Sequence, residues 1–306
     1  MIDILLSTFN GEKFLEEQLD SIFLQSYKDF NLIIRDDGSK DNTLEIISKY
    51  KALYSDKIIV VNNSNNKNLG STNSFFELLH YSSSDLIMFC DQDDVWNPDK
   101  LEQILKFYYE NVKEKEKPVL IHSAVEVVDE KLCTLPLQTE KFNQYKAGME
   151  HKLIWQVFQN DVTGCTVMIN SVMRDIVNQI DFSKNKVIQH DWFLALIAYL
   201  NKSKFYIPQQ TMKYRQHSKN VIGIKHLTFS KRLLIRIKTG TTYPYYSQIK
   251  TLLLCSFPMN IDDLNLLTQF ASLTSLNKIS RVIWHIKHAF FRNGSFIYKM
   301  YQLIAC

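Results

Sequence analysis

Four short apolar runs, residues 2–7, 32–34, 58–61 and 86–90, divide the first ninety residues, and helical spacing resumes after each. Phe14, Leu15, Leu19, Ile22 and Phe23 follow the first run, and Leu44, Ile47, Tyr50 and Tyr54 follow the second, with Asp41 or Asn42 placed to cap that helix. Phe75, Phe76, Leu78 and Leu79 follow the third, and Pro98 suits the first turn of a helix after the fourth. Such β-α alternation predicts an α/β fold with a mainly parallel sheet flanked by helices. Right-handed crossovers then bring the strands' carboxyl ends to one edge, where such sheets bind ligands. The residues that matter are therefore those just past a strand: 7–10, 36–39 and 91–94.

The later chain is less regular. Residues 119–128 and 163–169 read as β-rich, and residues 172–180 and 192–200 as helical. Beyond residue 225 the pattern is helical and basic, with a break at Phe257-Pro258. With 306 residues, 45% hydrophobic and 22% charged, the chain can bury a substantial core without disulfides or a structural metal, which excludes intrinsic disorder. Its five cysteines form no CxxC pair, so neither a zinc site nor a disulfide framework is expected, and a reducing cytoplasmic setting fits. Asp3 lies where a secretory signal needs basic residues, and the apolar stretch at 192–200 is far short of the roughly 18 residues of a membrane span.

Two acidic clusters stand at predicted strand ends. Asp91, Asp93 and Asp94 fall within four residues, and packed carboxylates need either full solvation or a compensating cation. A solvated turn would explain the run alone. Its place on the ligand edge favours a hard divalent ion, Mn²⁺ or Mg²⁺, whose shell substrate phosphates would complete. Asp36 and Asp37 precede a Gly38-Ser39 turn, which reads as a capped turn or as a carboxylate facing a nucleobase N–H.

Ser7-Thr8-Phe9-Asn10-Gly11, Arg35-Asp36-Asp37-Gly38-Ser39, Asn68-Leu69-Gly70 with Asn73, and Asp91-Gln92-Asp93-Asp94-Val95-Trp96 together resemble a family 2 glycosyltransferase of the GT-A fold. Gln189-His190-Asp191-Trp192 and Tyr214-Arg215-Gln216-His217 with Asn220 extend the resemblance, so that it covers about the first 225 residues in the family's order. It is most like the bacterial polysaccharide rhamnosyltransferases. The resemblance implies a GT-A domain over residues 1–224 and a basic helical extension over 225–306. It implies that Ser7 and Phe9 line a nucleobase pocket, that Asp37 accepts from the pyrimidine N3–H, that Asn73 lies near the donor, and that Asp91 and Gln92 approach the ribose. Asp93 becomes the principal metal carboxylate, His217 a further ligand and Arg215 a cation on the phosphates. Asp94 either touches metal or caps the next helix. Asp191 becomes the general base, although an Asp there also suits a helix N-cap. His190 and Trp192 shape an acceptor pocket, or Trp192 packs in the core.

The implied activity is an inverting, metal-dependent transfer of a sugar, L-rhamnose from dTDP-L-rhamnose or a hexose from a UDP-sugar, onto a growing, lipid-linked surface glycan. The charge pattern adds a partner. Residues 225–306 carry 11 Lys and Arg against two acids, a net of +9, while the rest of the chain is at −5. Around residues 280–292, Val282, Ile283, Ile286 and Phe290 recur at helical spacing, with Arg281, His285, His288 and Arg292 on another face. A basic amphipathic helix suits the inner membrane surface, as a peripheral contact, or a homodimer. Nucleic acid is not an expected partner, since no recognition module is present and the acidic body would repel phosphates.

Overall fold

In the computed structural model, which describes residues 1–61, 68–147, 153–217 and 244–288, the first apolar run becomes β1 (Ile2–Thr8). It pairs in parallel with β2 (Phe30–Asp36) on one side and β4 (Leu86–Cys90) on the other, and β3 (Ile58–Val60) lies parallel beyond β2. Helices α1 (Leu15–Phe23), α2 (Thr43–Leu53), α3 (Ser71–Leu79) and α4 (Lys100–Asn111) follow the four strands in turn. The strand runs are continuously apolar because both faces are covered. Ile4, Leu6, Ile34 and Met88 face the core beneath α1, α2 and α4, whereas Leu5, Ile33, Ile87 and Phe89 face the core that holds Phe75 and Phe76 of α3. At α2 the capping carboxylate is that of Asp41, which accepts from the Thr43 N–H at 3.1 Å, while the Asn42 side chain makes no capping bond.

The sheet continues through β5 (Val95–Trp96), β6 (Leu120–Val128), β7 (Met168–Asn170) and β8 (Lys204–Arg215), in the spatial order β3-β2-β1-β4-β7-β6-β8-β5. Strand β7 is antiparallel to both β4 and β6, and β8 returns parallel to β6, so the sheet is mixed but mostly parallel. This is the GT-A architecture expected. The run at 163–169 is a 3₁₀ turn over Gly164–Thr166 followed by β7. Between them lie α5 (Pro136–Ala147), α6 (Leu153–Phe158), α7 (Ser171–Val177) and α8 (His190–Leu200). Strand β8 was not legible beforehand: Pro208 interrupts it, its burial does not alternate, and its pairing with β6 carries register shifts.

The described C-terminal helices are α9 (Pro244–Leu252), α10 (Ile261–Ser272) and α11 (Lys278–Lys287), with Pro258 between the first two. They join the core of the sheet's α8 side: Tyr245 meets Phe158 and Trp192 edge-on at 5.0 and 5.7 Å, and Phe270 meets Phe158 at 5.7 Å. Trp192 is thereby a core residue, its indole N–H bonded to the Gln156 carbonyl. His285 is fully buried against Tyr246 and Phe270, while Ile279, Ile283 and Ile286 are exposed. The expected boundary at 224/225 and Asn220, Phe290 and Arg292 lie outside the described residues.

Candidate active site

The carboxyl ends of β1, β2 and β4 open onto a cleft of about 820 Å³, closed opposite by the 160–164 segment and the N-terminus of α8. Ser7, Phe9, Asp37, Asp91, Gln92, Asp93, Asp191 and His217 all line it, drawn from segments up to two hundred residues apart.

At the end of β2 the two adjacent aspartates divide their work. Asp36 closes its own turn, accepting from the Gly38 and Ser39 N–H groups at 3.0 and 2.8 Å and from the Thr8 hydroxyl across the sheet. Gly38 takes φ 90°, which glycine alone adopts at little cost. Asp37, 2% exposed, pairs with the buried Arg35, 3% exposed, at 2.6 Å. Its two oxygens also receive the Leu69 and Gly70 N–H groups, both at 2.8 Å. Asp37 thus ties the 68–70 segment to the sheet edge. Ser7 bonds Ser74 of α3, which Arg35 also contacts, and Phe9 stands half in the open at the cleft mouth.

Gln92 joins the ends of β1 and β4. Its amide accepts from the Phe9 N–H at 2.8 Å and donates to the Phe9 carbonyl at 3.0 Å, a two-point clamp. The clamp needs Gly11, where a Cβ would sit 2.3 Å from the Gln92 Oε1. Beside it the acidic cluster is crowded. Burial, then the charges of Asp93 and Asp191, push the Asp91 carboxyl up to about 7. Asp94 is fully buried, accepts from the Arg215 N–H at 3.0 Å, and is likewise pushed well up by burial and by Asp93. It caps no helix. Behind the cluster, unforeseen in the sequence, Lys100 is wholly buried over the Trp96 ring at 4.1 Å and bonded to the Cys165 carbonyl; burial draws it down to about 8.

Asp93 is held at its Oδ2 by His217 Nε2, 2.7 Å away, with the His217 ring tilted against Phe14. Arg215 lies behind that pair. Its guanidinium is 1% exposed and is divided among the Asp93 carbonyl, the Glu130 carbonyl, the Glu17 carboxylate and the Phe14 ring face. Its charge therefore braces the Asp93 backbone from outside the cleft lining. The Asn73 side chain turns back to the Leu69 carbonyl at 3.3 Å and is also outside the lining.

Among the described residues, ligand atoms of Asp91, Asp94 and Cys165 come within 4.8 Å of one another. The Cys165 thiol is a soft donor, kept protonated by burial, which leaves the carboxylates as the usable ligands. Carboxylates crowded enough to resist ionisation, with an imidazole at Asp93, are a donor set that fits a hard divalent cation.

Asp191 enters the cleft from the first turn of α8, where the helix dipole favours a negative charge. Its Oδ1 accepts from the Trp192 N–H at 2.7 Å, and its Oδ2 accepts from the Asn160 side-chain amide at 3.0 Å. His190 lies beneath Gly164, against the Phe75 and Phe89 rings, and burial holds it below its usual range. Asn160 was missed in the sequence because residues 159–162 carry no helix or strand periodicity, and Gly164 was read only as the start of a β-rich run.

One cleft at the carboxyl edge of the sheet thus gathers the carboxylates of Asp37, Asp91, Asp93 and Asp191. The chain matches the family model for glycosyl transferase family 2 over residues 3–180, and it belongs to that family. It is 30% identical to the dTDP-rhamnosyl transferase RfbG of Shigella flexneri over 227 residues, 71% of this chain and 73% of that one. Over a shorter stretch of 113 residues it is 30% identical to the UDP-Glc:alpha-D-GlcNAc-diphosphoundecaprenol beta-1,3-glucosyltransferase WfgD of Escherichia coli, 36% of this chain and 42% of that one. Among solved structures, S. aureus TarS in complex with UDP-GlcNAc superposes with a TM-score of 0.58 at 16% identity, covering 91% of this chain and 74% of that one. The mannosyltransferase PcManGT of Pyrobaculum calidifontis, in complex with GDP-Man and Mn2+, gives 0.53 at 13% identity, covering 99% and 78%.

Proposed function

We propose that this glycosyltransferase is inverting and metal-dependent, and moves L-rhamnose from dTDP-L-rhamnose onto a growing lipid-linked polysaccharide. The observation that carries the chemistry is that Asp191 lines the same cleft as Asp91 and Asp93, near enough for its charge to act on Asp91. Asp191 takes the proton of an acceptor hydroxyl, whose oxygen attacks the anomeric carbon on the face opposite the departing nucleoside diphosphate. One in-line displacement inverts that centre. Phe9 offers a ring face to the base, while Ser7, Asp37, Asp91 and Gln92 frame the nucleoside. A divalent ion, when bound, supplies the positive charge that the leaving diphosphate requires, and Asp93 and His217 would hold it. Arg215 keeps that wall in place from behind.

Similarity to RfbG supports the rhamnose donor. A UDP-hexose is the second reading, favoured by the UDP complexes of TarS, because among the described residues nothing around Asp37 distinguishes uracil from thymine. The exposed isoleucines of α11 and the net positive charge of the C-terminal segment support peripheral binding at the inner membrane surface, where a lipid-linked acceptor would be found. Calorimetry with dTDP and UDP, each with and without Mn²⁺, tests the reading. Metal-dependent binding with dTDP preferred supports it. UDP preferred moves the assignment to a UDP-sugar, and no binding by folded protein removes the donor site.

A further inference from the structure

A general base works only if its carboxylate is aimed and its ionised form is favoured, and among the described residues one side chain outside α8, that of Asn160, hydrogen-bonds the Asp191 carboxylate. Asn160 donates its Nδ2–H to Asp191 Oδ2 at 3.0 Å and makes a longer contact, 3.4 Å, with Gln189 Oε1. The other end of the amide accepts from the Val162 N–H at 3.0 Å. These partners fix which way the amide points. A backbone N–H can only donate and an ionised carboxylate can only accept, so Oδ1 must face Val162 and Nδ2 must face Asp191.

The segment carrying Asn160 is itself anchored from below. Asp161 and Lys204 form an ion pair with both side chains buried, 4% and 6% exposed. Gln156 donates to the same Asp161 carboxylate at 3.0 Å and accepts from Lys204 Nζ at 3.0 Å, and the Gln156 carbonyl takes the Trp192 indole N–H. The residue after Asn160 and the residue after Asp191 are thus tied to one point on α6. Gly164 allows the loop to lie this close, since a Cβ there would stand 2.9 Å from His190 Nε2 and 3.6 Å from Asp191 Oδ2.

We propose that Asn160 is a positioning residue for the transfer reaction, aiming the Asp191 carboxylate at the acceptor hydroxyl and favouring its ionised form. The inference rests on Asp191 being the base. The titratable groups facing that carboxylate are Asp91 across the cleft and His190 on its own helix; the Asp161–Lys204 pair beneath the loop is neutral as a unit.

The test uses the full chain with Asn160→Ala, Asn160→Asp and Asp191→Asn. One readout is nucleotide release from dTDP-L-rhamnose, or from UDP-glucose if UDP is the preferred nucleotide, as a function of pH. The other needs no donor: the side-chain carboxyl ¹³C signal of Asp191, assigned by its disappearance in Asp191→Asn, followed through a pH titration. Asn160→Ala is expected to lower turnover about 10- to 100-fold with dTDP affinity unchanged, and to move the acidic limb of the rate profile and the Asp191 carboxyl titration to higher pH. Asn160→Asp keeps the Val162 bond but sets a second carboxylate against the first, so its midpoint and the acidic limb of its rate profile should move higher still. An Asp191 midpoint that is the same in all forms overturns the inference, even if turnover falls, because a merely structural role would leave it there. Full turnover in Asp191→Asn instead overturns the base assignment and the inference with it. A shifted midpoint without turnover of either donor leaves Asn160's role standing and rejects the donors.

Discussion

At the scale of single residues, the cleft separates groups that hold the site together from groups available to substrate. Asp36 and Arg215 have their polar atoms committed to the protein outside the cleft, whereas Asp191 and Asp93 both line it. Asp191→Asn is expected to keep nucleotide affinity and lose about 10²–10⁴-fold in transfer, since it removes the proton acceptor alone; calorimetry and a transfer assay on the same preparation check it. Asp93→Ala should also lose the Mn²⁺-dependent part of nucleotide binding, which the same calorimetry reads. His190 makes an acid-side prediction. Burial holds its folded-state value below the 6.5 of the exposed ring, so between those values the unfolded chain binds a proton that the fold does not. Stability should therefore fall as pH drops below about 6.5. Denaturation midpoints at pH 7.5, 6.5 and 5.5 should show that decline in the native protein and a smaller one in His190→Phe.

At the scale of elements, the site depends on joints between segments that have no periodicity of their own. The Asp161–Lys204 pair fastens the 159–164 segment to β8, and both charges are out of water. Asp161→Ala would strand the ammonium and should cost about 3–5 kcal/mol in chemical denaturation. Transfer should fall further than nucleotide affinity, because the joint lies on the Asp191 side of the cleft. A milder break is Gly11→Ala, which forces the Gln92 clamp off the Phe9 backbone and should weaken dTDP binding more than it lowers the denaturation midpoint.

At the scale of the whole molecule, α9 to α11 are built onto the catalytic half through a shared aromatic core, and α11 turns Ile279, Ile283 and Ile286 outward. Ile283→Asp should change folding stability by no more than about 0.5 kcal/mol, since that side chain is 58% exposed. Co-sedimentation with vesicles containing anionic lipid should drop if this face meets the membrane. An unchanged sedimentation with a lost dimer in light scattering would assign the face to self-association instead. Among the described residues no helix is long and apolar enough to cross a bilayer.

The parallel half of the sheet was legible because strands buried on both faces are written as unbroken apolar runs, and each run ends at the ligand edge. Ser7, Phe9, Asp37, Asp91, Gln92 and Asp93 follow such runs, so local pattern alone brought them to one place. The other wall had no such signal. Strand β8 and the 159–164 segment are set by long-range pairing and by the buried Asp161–Lys204 joint, which no local pattern encodes. The sequence therefore determined the fold class, the edge that carries the site and the residue types just past the ends of β1, β2 and β4. Only the tertiary structure decided that Arg215 braces rather than faces the cleft, that His285 lies inside while the isoleucines of α11 lie outside, and that Asn160 meets Asp191. Each of those depends on which neighbours fill a side chain's hydrogen bonds or cover its apolar face, and such neighbours come from segments distant in the chain.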